Sequence, residues 1–239
     1  MPHLSHATGI SAQIGFQTYL ARVYHYMAGG LAVSGASAFL GAREPLLHWL
    51  YTITPKGVSL SFLGWVVMLA PLVMIFVLNS ALSSLNTRRA QLCFWTFSVL
   101  MGLSLSNIFL VYTGASIFKA FCIAALTFYG ASLFGKKTQR DLTSMGSFLR
   151  MGLIGLIIAM VVNLFMHSSQ IEWAVSVIGI GVFTGLAAFD TQRLRLIYSQ
   201  ADTTEVAEAK SISGALALYL DFINLFLMLL HFFMGDQRK

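Results

Sequence analysis

Long uncharged runs dominate the chain. No Asp, Glu, Lys or Arg occurs within Val23–Ala42, Gly57–Thr87, Ala90–Phe118, Ala120–Gly135, Met151–Ile171 or Trp173–Phe189, and Asp221 alone interrupts Ser211–Gly235. A hydrocarbon core of ~30 Å takes ~20 helical residues at ~1.5 Å each. Each run therefore predicts one membrane-spanning helix, near residues 22–42, 60–84, 91–112, 117–135, 146–167, 173–195 and 212–234. The fourth is short, and Lys119 lengthens it by snorkelling outward. The runs are too long for barrel strands and do not alternate with period two. The expected fold is thus an all-α polytopic membrane protein with seven transmembrane helices. A cytoplasmic N-terminal segment, 1–21, precedes a transmembrane domain, 22–234, and a short tail, 235–239, follows it. The longest polar connection is expected over about Ile197–Lys210.

Composition narrows the class. Of 239 residues, 57% are hydrophobic and 10% charged, where soluble domains average ~25% charged. A soluble domain has no interior for so much apolar surface, and neither disordered chains nor nucleic-acid binders are built this way. The basic residues are placed by the runs. Arg22 precedes the first span, Arg88 and Arg89 follow the second, and Lys136, Lys137 and Arg140 follow the fourth. Arg193, Arg195 and Lys210 surround the connection after the sixth, whereas Arg43, Lys56, Lys119, Arg238 and Lys239 fall on the other side. The positive-inside rule then puts the N-terminus in the cytoplasm and the C-terminus outside. The net charge of +6 is a topology signal, and no nucleic-acid partner is expected. Arg22 with Ala36–Ser37–Ala38 imitates a signal peptide, but six further spans follow, so the first helix is expected to stay uncleaved. Cys93 and Cys122 fall near opposite ends of neighbouring spans, too far apart to bridge.

Two acids need an explanation. Asp221 lies ten residues beyond Ser211, ~15 Å along the helix and near mid-bilayer. An ionised carboxylate there costs at least ~2.5–3.5 kcal/mol unless it faces the bundle interior or a water-filled cavity. Asn224, three residues on, shares its helical face and is placed to support it. Asp190 lies near the cytoplasmic end of the sixth span, five residues before Arg195. It has two readings: an interfacial acid paired with Arg193, or the partner of Asp221 on the antiparallel seventh span. Asp221 likewise serves either helix packing through a hydrogen bond or a functional pair. Two carboxyls held together at low dielectric cannot both ionise cheaply, so one keeps a proton and the pair titrates as a unit. Protonated and shared, such a pair locks two helices; ionised, it repels and offers oxygens to a hard cation such as calcium, making Asp190 and Asp221 the candidate metal ligands.

Other patterns are structural. Gly181-x-x-x-Gly185 and Gly102-x-x-x-Ser106 permit close helix approach inside one chain, and Arg150 is read as a snorkelling residue at the cytoplasmic end of the fifth span. No His/Cys/Asp spacing resembles a zinc site, and no nucleophile elbow or phosphate loop occurs. An intramembrane aspartyl protease calls for Gly-x-Gly-Asp on the last span, where this chain reads Leu218–Tyr219–Leu220–Asp221. No enzymatic activity is expected.

Four segments, Gly102–Tyr112 (GLSLSNIFLVY), Thr138–Leu142 (TQRDL), Phe189–Gln192 (FDTQ) and Leu216–Phe226 (LALYLDFINLF), resemble the BAX inhibitor-1 (transmembrane BAX inhibitor motif) family, its bacterial inner-membrane branch above all. The likeness runs from Phe16 to Phe233. It implies a seven-helix fold with the last helix central, a pH-sensing aspartate pair at Asp190 and Asp221, and a pH-dependent calcium leak with no cofactor beyond transient calcium. In eukaryotic relatives that activity goes with suppression of cell death, and some bacterial relatives are thought to modulate a membrane-bound ATP-dependent protease. Some family members carry an arginine near the end of span two that engages the aspartates. Ser84 stands there in this chain, and the nearest substitutes are Arg88 and Arg89. The expected function is therefore a pH-sensitive cation (calcium) leak channel gated by the aspartate pair. The alternative is a non-transporting interaction protein that modulates a membrane protease or another helical partner.

Overall fold

The computed structural model describes residues 3–54 and 57–234; the expected tail, 235–239, lies outside them. Its elements run α1 (His3–Gly41), α2 (Leu46–Leu50), β1 (Tyr51–Thr54), β2 (Gly57–Leu60), α3 (Phe62–Ser83), α4 (Thr87–Ser104), α5 (Ile108–Val111), α6 (Gly114–Lys137), α7 (Thr143–Met166), α8 (Ser169–Ile197) and α9 (Thr204–Met234). The protein is polytopic and essentially all-α. Among the described residues, six helical segments are long and apolar enough to cross a membrane. The first expected span, 22–42, forms the C-terminal half of α1 instead of starting a helix. Its Gly29–Gly30 pair and its run of Ala and Ser make it less apolar than the other six, so length and composition do not reach a count of seven.

Local chemistry sets the helix boundaries. Ser61 caps α3 by accepting from Gly64 N at 3.0 Å, Asn86 caps α4 through Arg89 N at 3.1 Å, and Thr113 caps α6 through Ser116 N at 3.2 Å. The third expected span, 91–112, is broken. Ser104 and Ser106 hydroxyls donate to Met101 O and Leu103 O, and these bonds compete with the helical ladder where α4 gives way to α5. The connection expected over Ile197–Lys210 is shorter than that. Thr203 Oγ1 accepts from Val206 N at 3.4 Å, and the good helix formers of Glu205–Lys210 start α9 at Thr204. The hydrophobic runs did not foretell the antiparallel hairpin β1–β2, in which Tyr51 faces Leu60 and Thr52 faces Ser59.

The chain forms two compact units. The first holds α1 to α5, the hairpin and the first half of α9. There α1 packs on α4 and α4 on α3. Gly102 lets α4 approach the backbone of Ser34, and Gly41 presses on Ser106, so the small-residue pattern at Gly102 and Ser106 closes on α1. The second unit holds α6, α7, α8 and the second half of α9. There α8 packs on both α6 and α7, with Gly135 against Ala188 O and Gly185 against the Leu149 side chain, while Gly181 faces open space. Burial separates the helices. The apolar window of α9 is 61% buried and that of α7 only 6%, so α9 is enclosed by protein while α7 presents its surface outward.

Candidate functional site

The second unit draws four consecutive residues of α8, Phe189 to Gln192, into four different contacts. Gln192 clasps the loop after α6: its Oε1 accepts from Leu142 N at 2.9 Å and its Nε2 donates to Arg140 O at 2.8 Å. Thr191 donates to Ala187 O at 2.7 Å, which leaves Ser132 as the donor in the 2.8 Å bond from α6 to Thr191 Oγ1. Phe189 packs under Gly146 of α7 and takes the Arg150 guanidinium over its ring at 5.3 Å. That geometry is a cation–π contact. Asp190, held between these anchors, interacts with Asp221 of α9, and the charges of Arg193 and Arg150 act on it as well.

Asp221 is 6% exposed, and the next residue on α9, Phe222, stacks edge to face with Phe121 and Phe128 of α6. Among the described residues its Oδ2 is one of two buried side-chain oxygens without a hydrogen-bond donor or acceptor, the other being Thr184 Oγ1. Two ionised carboxylates hold no donor between them, so Asp190 and Asp221 can form a hydrogen bond only when one proton is shared. Breaking that arrangement leaves a buried charge unpaired, which is costly in low dielectric. Thr184 lies six residues before Asp190 on α8, ~9 Å along the axis, and offers an uncommitted hydroxyl on the same helix.

The family described as inhibitor of apoptosis-promoting Bax1 matches residues 16–239. This chain belongs to the Bax inhibitor family. Similar bacterial members include an uncharacterized protein of Rickettsia prowazekii, 44% identical over 225 residues that cover 94% of this chain and 92% of that one. The Escherichia coli inner membrane protein YbhL is 40% identical over 232 residues, 96% of each chain. An uncharacterized protein of Caulobacter vibrioides is 40% identical over 233 residues, covering 96% of this chain and 93% of its own.

In this Bax inhibitor family member the structure brings Asp190 and Asp221 together and leaves the expected supporting residues elsewhere. Asn224 Nδ2 donates to Leu220 O at 2.8 Å on its own helix, a local side-chain-to-backbone bond that occupies its donor. Arg88 and Arg89 are exposed in the first turn of α4. The cations that act on Asp190 are Arg150 and Arg193. Arg150 was legible only as a snorkelling residue, since no spacing rule connects the start of the fifth apolar run to the end of the sixth.

The first unit holds a second polar cluster with no counterpart in the sequence reading. Glu208, 13% exposed, accepts from Arg22 Nη1 at 2.7 Å, from the Tyr26 hydroxyl and from Gln91 Nε2 at 3.1 Å, tying α9 to α1 and α4. Gln91 Nε2 also reaches the Tyr26 oxygen at 2.9 Å. Two residues on, Lys210 pairs with both carboxylate oxygens of Asp202 at 2.7 and 2.8 Å. In the sequence Glu208 falls within the polar connection Ile197–Lys210, where nothing distinguishes it from a solvated charge.

Proposed function

We propose that this protein is a leak pathway for cations, calcium among them, gated by the proton shared between Asp190 and Asp221. The observation that supports it most directly is the buried Asp221 Oδ2, which has no donor among the described residues, beside a second carboxyl. While the proton is shared, a hydrogen bond ties α8 to α9. When it leaves, two carboxylates in contact repel by ~4 kcal/mol at an effective dielectric of ~20, and the helices part at that level. The freed oxygens are hard ligands suited to calcium, but two carboxylates offer four atoms where calcium takes ~6–8. Among the described residues no cluster of three or more acidic, His or Cys side chains completes a cage. The pair therefore serves as a passing station and not a storage site. Arg150 and Arg193 hold Asp190 in place and repel cations from the flanks. The N-terminus is cytoplasmic in this reading, because nine basic residues then share that side.

The test is calcium flux in liposomes loaded with a calcium indicator, read across external pH. Wild-type protein passes calcium at a rate that depends on pH, and Asp190→Asn with Asp221→Asn removes that dependence. The same pH-dependent flux in the double variant overturns the proposal. Absence of flux together with a stoichiometric crosslinked partner replaces it by the interaction-protein reading.

A further inference from the structure

Between α3 and α4, within the first unit, lies a cavity of about 630 Å³ lined by Phe76, Val77, Ser80, Ser84, Arg89 and Leu92. Its polarity is graded. Ser80, Ser84 and Arg89 sit toward the short turn that joins the two helices, and Phe76, Val77 and Leu92 lie farther from it. Phe76 is 76% exposed and Leu92 67% exposed. On helices apolar enough to cross a membrane, such faces meet lipid chains and not water. The turn marks the end of the apolar run of α3, where a bilayer's headgroups lie.

The polar end of the cavity carries positive charge that no ion pair among the described residues neutralises, and Glu208, which reaches α4 at Gln91, is taken up by Arg22 and Tyr26. Among the described residues neither Arg88 nor Arg89 forms an ion pair. The chain holds no Asp or Glu anywhere between Glu44 and Asp141. The Ser80 hydroxyl lines the same end, and the first-turn N–H groups of α4 add a partial positive charge. A soluble anion would satisfy the arginines but leave the apolar length of the groove idle.

We propose that this groove binds an anionic phospholipid. Its phosphate lies on Arg89, with Arg88 beside it, and one acyl chain runs along Phe76, Val77 and Leu92. Charge complementarity and graded polarity select a lipid over a peptide or a second copy of the chain, since both ends of the groove match one amphiphile. The site shares no residue with the aspartate pair and does not depend on ion passage.

Full-length protein in detergent, titrated with phosphatidylglycerol or phosphatidylcholine of identical acyl chains, provides the test, with retained lipid counted by native mass spectrometry. Phosphatidylglycerol is expected to bind one per protein and more tightly than phosphatidylcholine. Arg89→Gln is expected to weaken it about fivefold and Arg88→Gln with Arg89→Gln about 25-fold, at about fivefold per arginine near a membrane surface. Arg89→Lys, and Lys119→Gln in the second unit, are expected to retain binding. Phe76→Ser, on an exposed face that does not threaten folding, is expected to weaken both lipids through the lost chain contact. Equal binding of the two lipids, an undiminished preference in the double arginine variant, or displacement of phosphatidylglycerol by inorganic phosphate overturns the proposal.

Discussion

Glu208 offers a direct measure of what holds the first unit's helices together. Glu208→Ala removes three bonds at once, from Arg22, Tyr26 and Gln91. A hydrogen bond to a charged group contributes ~1.5–3 kcal/mol when its surroundings are dry. The three do not count equally. The Arg22 side chain is 40% exposed, so it regains water when its partner goes and its share falls to ~0.5–1 kcal/mol. Tyr26 and Gln91 keep their own bond at 2.9 Å, which softens their loss to ~1 kcal/mol each. The expected total is ~2.5–3 kcal/mol. For a chain of this length ~1 kcal/mol moves Tm by ~2–4 °C, which places the variant ~5–12 °C below wild type. Thermal unfolding in detergent followed by circular dichroism reads it. Tyr26→Phe alone is expected to cost ~1 kcal/mol, and the cycle combining Tyr26→Phe with Glu208→Ala should show a coupling of ~1 kcal/mol. A Glu208→Ala variant melting within ~1 °C of wild type, or a cycle with no coupling, refutes the cluster as a clamp.

Two further outcomes follow from glycine packing and from a loop carboxylate. A Cβ at Gly135 would collide with the backbone of Ala188, whereas one at Gly181 meets nothing within 4 Å. Gly135→Ala should therefore lower thermal stability by ~1–3 kcal/mol, and Gly181→Ala should leave it unchanged or raise it by up to ~1 kcal/mol, as unfolding curves of the pair will show. Asp141, fully exposed in the loop before α7, is held below its ordinary 3.8, first by the Thr143 hydroxyl at 2.6 Å and then by Thr143 N at 2.9 Å. A carboxyl lowered on folding adds stability above its unfolded pKa and loses it as pH falls through the folded one, so this contribution fades only below about pH 4. Carboxyl-carbon NMR should find Thr143→Val returning Asp141 part-way toward its ordinary titration, and an unmoved midpoint would show that the Thr143 hydroxyl is not the main cause.

Charge scarcity explains what the sequence made legible. Within 212–234 a lone carboxylate costs free energy wherever it points, so Asp221 could be singled out without knowing its partner, and its sequel was a buried oxygen on the most enclosed helix. Asp190 was ambiguous because Arg193 lies one turn away on its own helix; the structure gives it both neighbours, since Asp221 and Arg193 act on it together. The contacts that fix the pair's surroundings were not readable, because Ser132, Leu142 and Arg150 stand 59, 50 and 39 positions from their α8 partners, and no periodicity spans such separations. Glu208 failed for the opposite reason. Charges cost little outside the bilayer, so a glutamate in Ile197–Lys210 raised no alarm, and only the extension of α9 back to Thr204 turns it toward Arg22, Tyr26 and Gln91. The same helix thus carries two carboxylates thirteen residues apart with different neighbours: Glu208 beside a cation and two neutral donors, Asp221 beside another acid. The first arrangement is stable with its charge in place, and the second calls for a proton. The proposed function places proton-dependent behaviour at Asp221 and structural anchoring at Glu208, and the contrast between their variants, one expected to alter the pH dependence of flux and the other Tm, tests that division.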